Sequence, residues 1–483
     1  MDYSLFIYYN TIFASVAEFI GREKELRTLQ EIYELRKFMC CAVIGRRRIG
    51  KSSLIEKFVE DKRSLYFEFV EGTPETNLRI MEIVIGDYLG EKTAFESFVD
   101  AFSSLGTIAK REKLVIIFDE FTYALSYESF SSLTKNMIDR DIGESFLIIS
   151  GSLVKMMESE TGRYEKPLYG RTQRMYLGGV GLADSKRFHP NMPDLDVLRL
   201  HIMTGGSPYY LSRTPAESLD DYIEKYILPT DSMFHDEGLN ILVRELDSPR
   251  KCTDVLDALA VGRNDTRRIS DYSGIDETTC RKVLSELTEF GIIEPLHPMF
   301  GTSSKPIRYR FADGMVSLYF RIFRMMPPKS NAGYSAYRGR IATELGRLFE
   351  SYCARFLSEN YPITEIGTWY SAVPSTMEDG TMMRSDGRTA TEMIEIDIAA
   401  TANDGENNME IFAECKLRNT PIGLGALKDL ESKIANVHGK RNYRVMLISG
   451  SGFTDELMEK SDVPGVILIG PDALFGRTAL PPL

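Results

Sequence analysis

The segment Gly45-Arg46-Arg47-Arg48-Ile49-Gly50-Lys51-Ser52 constrains the fold more than any other stretch of the 483-residue chain. It fits the spacing GxxxxGK[ST] in full, and its surroundings matter as much as the string. An unbroken apolar run, Phe38–Ile44, leads in, as expected of a strand buried on both faces. A helical pattern over Gly50–Glu60 leads out. The glycines let the backbone turn tightly, so that its N–H groups point inward, and the helix starting at Gly50 adds the positive end of its dipole. A loop of this kind is shaped to hold phosphate. Lys51 reaches the β- and γ-phosphates as a point charge, and the Ser52 hydroxyl is placed to ligate Mg²⁺.

Further apolar runs at Leu65–Val70, Leu114–Phe118 and Phe146–Ile149 alternate with helical segments, which predicts a parallel α/β sheet. The run Leu114–Phe118 ends in Asp119 and Glu120. A strand ending there sets Asp119 beside the phosphate loop to hold Mg²⁺, and Glu120 to orient or deprotonate an attacking water. Ser150 closes the next strand, either as a sensor of the γ-phosphate or as a simple strand-end turn. Arg171, in Leu168-Tyr169-Gly170-Arg171, reads equally as an arginine finger that neutralises transition-state charge and as a surface ion pair. The expected nucleotide ligand is ATP with Mg²⁺. Gly45, Arg46, Arg47, Arg48, Ile49, Gly50, Lys51, Ser52, Ser53 and Ser150 line it, with Ser52 and Asp119 on the metal. The three arginines serve the loop or a partner, or else form a solvated basic turn.

Length suggests about three domains. Lys+Arg 58 against Asp+Glu 70 gives a net charge of −12. A chain this acidic has no global attraction to nucleic acid or anionic membrane, so any such contact must come from a local patch. The cysteines Cys40, Cys41, Cys252, Cys280, Cys353 and Cys415 form no CxxC pair, which argues against a disulfide framework or zinc site and for reduced thiols in a cytoplasm. Leu5–Val16 is apolar, but it lacks a basic flank and a clean cleavage site, and it is too short to span a bilayer. It reads as an N-terminal extension, and no membrane partner is expected.

Beyond about Asp184 the pattern becomes mostly helical. Three short helical segments near Lys251–Glu289 precede Gly291–Glu294 and Ile307–Phe311, the element order of a winged helix with its recognition helix around Asp276–Phe290. Over Arg244–Arg310 there are 11 Lys/Arg and 11 Asp/Glu. A strong DNA binder would be basic, so DNA contact through Arg263, Arg267, Arg268, Arg281 and Lys282 stands level with plain domain packing. Met325–Tyr334 reads as a linker. A helix at Ile341–Leu357 follows, then strands at Thr364–Tyr370, Met393–Ala399 and Glu410–Lys416. A helix near Ala426–Val437 and strands at Tyr443–Ser449 and Val466–Ile469 close the chain. The polar stretch Pro374–Thr391 is expected to be a mobile loop.

Taken together, Phe19-Ile20-Gly21-Arg22-Glu23-Lys24-Glu25-Leu26, the Gly45–Ser52 loop, Phe118-Asp119-Glu120-Phe121, Ser150-Gly151-Ser152, Pro167-Leu168-Tyr169-Gly170-Arg171 and Thr204-Gly205-Gly206-Ser207-Pro208-Tyr209-Tyr210 resemble the archaeal ATPase family. That family lies in the STAND-type branch near AAA+ and the Orc-like initiators. The resemblance covers nearly the whole chain. It implies a multidomain α/β protein: a P-loop NTPase core with the phosphate-loop strand central, a helical lid near Thr204–Tyr210, a winged helix, and a C-terminal α/β restriction-endonuclease-like domain. Gly21 and Arg22 would lie near the adenine. Ser207 departs from the apolar residue usual at its position. The boundaries implied are 1–16 for an N-terminal extension, 17–182 for the ATPase domain, 183–240 for the lid, 241–326 for the winged helix and 335–483 for the nuclease-like domain.

That last domain resembles the PD-(D/E)xK fold, and its residues can also be read by themselves. Glu395-Ile396-Asp397-Ile398 lies on one strand and Phe412-Ala413-Glu414-Cys415-Lys416 on the next. Residues i and i+2 of a strand share a face, so Glu414 and Lys416 point the same way. Antiparallel pairing through the turn near Asn403–Asn408 brings Asp397 to that face. Asp397 and Glu414 are then hard oxygen ligands for Mg²⁺, and Lys416 positions water and stabilises phosphate charge. Glu350 matches the helical acid of the fold. An acid and a lysine two apart usually describe a solvated strand face; the order helix, strand, acid strand, ExK strand, helix, strand is what turns the reading toward a nuclease core. The expectation is an ATP-hydrolysing enzyme that regulates a Mg²⁺-dependent nuclease-like domain acting on DNA or RNA. Two alternatives stand beside it: a switch that only binds DNA or a protein partner, and a homo-oligomer in which Arg171 reaches a neighbour's nucleotide.

Overall fold

The computed structural model describes residues 19–35, 37–127, 129–140, 143–246, 248–301, 305–326, 334–374, 376–377, 380–381, 391–403, 408–437, 439–440 and 442–483. The apolar run Leu5–Val16, most of the linker at 325–334 and most of the polar stretch 374–391 lie outside the described residues. The chain divides into two compact units. The first runs to Asp184 and takes in Gly206–Arg213; the second comprises Ser185–Gly205 and Thr214–Leu483. Among the described residues no helix is long and apolar enough to cross a membrane.

The first unit is built on a five-stranded sheet of order β2-β3-β4-β1-β5, with β1 (Met39–Ile44), β2 (Ser64–Glu68), β3 (Val115–Asp119), β4 (Phe146–Gly151) and β5 (Gln173–Tyr176). All neighbours pair in parallel. The three central strands are the continuous apolar runs, because helices cover both faces of a parallel sheet. Alternate residues enter separate cores. Cys40, Ala42, Ile44, Ile116, Phe118, Leu147 and Ile149 pack on one side. Cys41, Val43, Val115, Ile117, Phe146 and Ile148 pack on the other. The edge strand β5 has three exposed residues of four, which is why its Gln-Arg-Met-Tyr carries no strand signal in the sequence. The order sets β1, β3 and β4 side by side, so their carboxyl ends emerge together.

The second unit contains the helices Pro249–Ala260, Thr266–Ser273 and Glu277–Glu289, followed by a hairpin of β6 (Ile293–Leu296) and β7 (Arg308–Phe311). After the long helix Arg338–Asn360 comes a mixed five-stranded sheet: β8 (Ile363–Pro374), β9 (Thr391–Asn403), β10 (Asn408–Lys416), β11 (Tyr443–Ser449) and β12 (Val466–Ile469), in spatial order β12-β11-β10-β9-β8. The pairs β8–β9 and β9–β10 are antiparallel, and β10–β11 and β11–β12 are parallel.

Between β6 and β7, residues His297–Met299 lie against β8. His297 and Met299 exchange backbone hydrogen bonds with Thr368 of β8, Thr368 N to His297 O at 3.0 Å and Met299 N to Thr368 O at 2.8 Å. Gly367 makes this approach feasible, since a Cβ there would lie 2.0 Å from the His297 carbonyl oxygen. Gly367→Ala is therefore expected to cost about 3 kcal/mol of stability in urea unfolding, the upper end for overpacking. Gly346→Ala, at an open helix position, should be neutral or mildly stabilising. Equal stabilities of the two variants would show that the segment is not seated on β8.

Candidate functional site

Two constellations of polar side chains form, one in each unit. In the first, the turn after β1 closes on Gly50, whose φ of +90° starts the helix Lys51–Val59 with no side-chain cap. Gly50 offers the first-turn N–H groups no side-chain acceptor, and a helix start of this kind suits an anion. Lys51 is 5% exposed, and its ammonium donates to the carbonyls of Gly45 at 2.9 Å and Arg46 at 3.2 Å. Ser52 and Ser53 are exposed.

Asp119, at the end of β3, is the hub. Its Oδ2 accepts from Ser52 Oγ at 2.8 Å and from Tyr66 OH at 2.5 Å. Its Oδ1 accepts from Ser150 Oγ and from the Glu120 amide. Tyr66 has no signal in the sequence; only the parallel pairing of β2 with β3 brings it to the carboxylate. Burial, then the charges of Asp119 and Glu68, push the Glu56 carboxyl up, and burial, then Asp119 and Glu120, do the same for Glu68. Burial, with Asp119 next, pushes the Tyr66 hydroxyl up as well. The Asp119 carboxylate and the Ser52 hydroxyl, 2.8 Å apart, are hard oxygen donors of the kind that a divalent cation takes. Glu120 has φ +50°, a left-handed conformation that is strained for a residue with a Cβ. Its carboxylate accepts from Ser152 Oγ at 2.9 Å.

The flanking residues brace the loop. Arg22 donates to the carbonyls of Ile49, at 3.0 Å, and Gly178, and pairs with Glu25 at 3.1 Å. Its guanidinium is thus committed to backbone and a carboxylate, while Gly21 packs against Asp184. Arg47 donates to Tyr123 OH at 2.7 Å. Arg48 stacks 4.5 Å over the Tyr209 ring, and its carbonyl accepts from Ser207 Oγ at 2.7 Å. The hydroxyl that departs from the expected apolar residue at 207 thus ties Gly206–Arg213 to the loop. Arg171 forms a two-pronged pair with Asp139, Nε to Oδ1 at 2.6 Å and Nη2 to Oδ2 at 3.2 Å.

Residues 19–214 match the family model described as an ATPase domain predominantly from Archaea. That stretch is similar to archaeal ATPase domains. An uncharacterized protein of Methanocaldococcus jannaschii is 28% identical over 374 residues, covering 73% of this chain and 82% of that protein. An uncharacterized ATP-binding protein of the same organism is 38% identical over 48 residues, 10% of this chain and 81% of that protein. Among solved structures, the Walker-type ATPase of Pyrococcus abyssi aligns with a TM-score of 0.49 at 20% identity, over 63% of this chain and 96% of that one. The phosphate loop and Asp119 lie inside the matched ATPase domain; the second constellation lies beyond it.

That second constellation sits where β9 meets β10. The β8–β9 ladder shifts register between Ile396 and Ala399, an irregularity that re-aims side chains. It falls at Asp397, whose Oδ2 accepts the Cys415 amide at 2.8 Å. Glu414 is 2% exposed. Its Oε1 receives Lys416 Nζ at 2.5 Å and Lys433 Nζ at 3.0 Å. Its Oε2 is buried and has no hydrogen-bond partner among the described residues. Lys416 Nζ is 4.0 Å from Asp397 Oδ2. Burial and the charge of Glu414 hold the Asp397 carboxyl well above its ordinary range. Burial and the charge of Asp397 do the same for Glu350, against the opposing pull of Arg310. The charge of Asp397 thus bears on Glu350, and that of Glu414 on Asp397. A buried carboxylate oxygen with no donor is a fit for a cation. Lys433, on the helix Leu424–Ala435, and Arg310, on β7, were not foreseen from the sequence.

Proposed function

We propose that the chain is an ATP-hydrolysing switch that governs a Mg²⁺-dependent nuclease-type site in its second unit, acting on DNA or RNA. The observation that carries this reading is the unpartnered Oε2 of buried Glu414 beside Asp397 and two lysines, in a chain that also holds an ATPase domain. Lys51 and the first-turn amides of its helix would bind the phosphates of ATP. Ser52 and Asp119 would hold Mg²⁺, and Glu120, oriented by Ser152, would accept a proton from the attacking water. Tyr66 and Ser150 fix the Asp119 carboxylate. In the second unit Asp397 and Glu414 would hold Mg²⁺, which supplies Lewis-acid stabilisation of phosphate charge. Lys416 would orient water and offset developing negative charge. The helices at 249–289 with β6 and β7 follow the order of a winged helix, with the wing used for packing. A cytoplasmic setting is consistent with six cysteines that are all buried.

The test is a set of cleavage and Mn²⁺-binding assays on the intact protein, with and without ATP. Asp397→Ala should lose both cleavage and metal binding. Lys416→Ala should lose cleavage, by about 10²-fold or more as for removal of a charge-stabilising group, yet keep the metal, because an ammonium is not a ligand. Neither should change ATP affinity, since the ATP loop lies in the other unit. A second reading, a nucleotide switch whose second unit only binds DNA or a protein, is favoured by one observation: among the described residues no three His, Cys, Asp or Glu side chains are grouped to hold a metal. Absence of cleavage in every nucleotide state, with metal affinity unmoved by Asp397→Ala, would establish that second reading.

A further inference from the structure

The end of the phosphate loop is held in place from outside the loop. Arg48 takes φ +67°, a left-handed conformation that costs free energy in a residue with a Cβ. Such a shape persists only where its surroundings impose it. Here two distant segments of the first unit do so. Ser207 Oγ donates to the Arg48 carbonyl at 2.7 Å, and Arg22 Nη2 donates to the Ile49 carbonyl at 3.0 Å. The ring of Tyr209 lies 4.5 Å from the guanidinium of Arg48 and 4.5 Å from that of Arg213. Ser207 is buried, and the residue before it is anchored in turn, since Val180 N donates to the Gly206 carbonyl at 2.8 Å.

Ser207 stands where a serine ordinarily has another task. It precedes the helix Pro208–Ser212, a position at which a hydroxyl usually caps the first turn. Its side chain makes no such bond. Only its backbone carbonyl serves that helix, receiving the amides of Tyr210 at 3.1 Å and Leu211 at 3.2 Å. The hydroxyl is turned to the loop instead. A trans peptide sets its C=O and its N–H in opposite directions. The Arg48 carbonyl and the Ile49 N–H share one peptide plane, and the Ile49 carbonyl and the Gly50 N–H share the next. Fixing these two carbonyls therefore aims two successive amides away from the groups that hold them.

We infer that Ser207 is a positioning residue of the phosphate loop: it holds the strained Arg48 peptide so that the Ile49 amide stands oriented for a phosphate before any nucleotide arrives. This rests on the ATP-binding reading above. Ser207 acts through the Arg48 peptide and not on the nucleotide itself. A loop that is often open must reorder before it binds, and apparent affinity falls with the fraction that is ordered.

The experiment uses the full-length protein. Arg46, Arg47 and Arg48 are three tryptic sites inside the loop, so limited trypsin digestion of the nucleotide-free protein, read by mass spectrometry, reports how often the loop opens. Calorimetry measures binding of adenylyl imidodiphosphate with Mg²⁺, an ATP analogue that is not hydrolysed. Ser207→Ala should be cut faster in the loop and bind the analogue more weakly. The two factors multiplied should come to about fivefold, the worth of one hydrogen bond, because opening raises the population that is cut as it lowers the population that binds. Ser207→Thr restores the hydroxyl and should return both values toward those of the parent. An unchanged rate of loop cleavage overturns the inference. So does an equal speeding of cleavage at arginines and lysines throughout the chain, which would make Ser207 a general stabiliser. Should Lys51→Ala bind the analogue as the parent does, the phosphate-site reading fails; loop cleavage, taken without nucleotide, still decides whether Ser207 holds the loop.

Discussion

Replacing Lys51 by alanine should abolish measurable ATP binding in calorimetry while leaving the fold intact. The ammonium rests on the carbonyls of Gly45 and Arg46, so the loop already holds it where phosphate oxygens would meet the first-turn amides of its helix. Two charge-assisted hydrogen bonds to a polyphosphate, at about 1.5–3 kcal/mol each, amount to about 3–6 kcal/mol. That is a weakening of about 10²–10⁴-fold. Arg22 is tied to Ile49 and Gly178 and Arg48 is stacked on Tyr209, so neither is placed to substitute. An affinity equal to that of the parent, with an unchanged circular dichroism spectrum, would remove Lys51 from the phosphate site.

The second large effect is on turnover. Glu120→Gln should bind ATP normally and release phosphate more slowly by about 10²-fold or more, the usual contribution of a positioned general base. Glutamine matches the shape of the side chain. It can still accept from Ser152, and it meets the same backbone strain at φ +50°. The change is therefore confined to basicity. Single-turnover phosphate release with saturating ATP reads the chemical step without interference from binding. A rate within a factor of two of the parent would assign proton removal elsewhere.

The parts of this fold that were legible in the sequence are those where one local rule dominates. The runs Phe38–Ile44, Leu114–Phe118 and Phe146–Ile149 read as central strands because both their faces are buried. Ser52 and Asp119 were expected to share one metal and are hydrogen-bonded across 67 positions. Glu414 and Lys416 follow from strand periodicity. The rest depends on tertiary pairing. Strand β5 is a polar edge and has no periodic signature. Tyr66 meets Asp119 only through the β2–β3 register. Asp397 reaches its position through an irregularity in the ladder, which alternation alone does not foretell. Lys433 and Arg310 come from elements far along the chain, and nothing in their local sequence marks them out. Nothing in the local sequence of His297–Met299 marks it out either, yet it lies against β8.

That last placement bears on how the second unit protects itself. Strand β8 ends the sheet, and an open sheet end is a template on which a stray strand can grow. His297 and Met299 engage both backbone groups of Thr368, and the ring of Phe300 shields that of Phe412. A polypeptide starting at Tyr334 would retain every acid and lysine of the C-terminal constellation. It would nonetheless bare an unpaired strand edge and an apolar slot, and would be prone to self-association. The hairpin thus acts as a molecular selvage, the finished border that keeps a woven sheet from being extended by its neighbours.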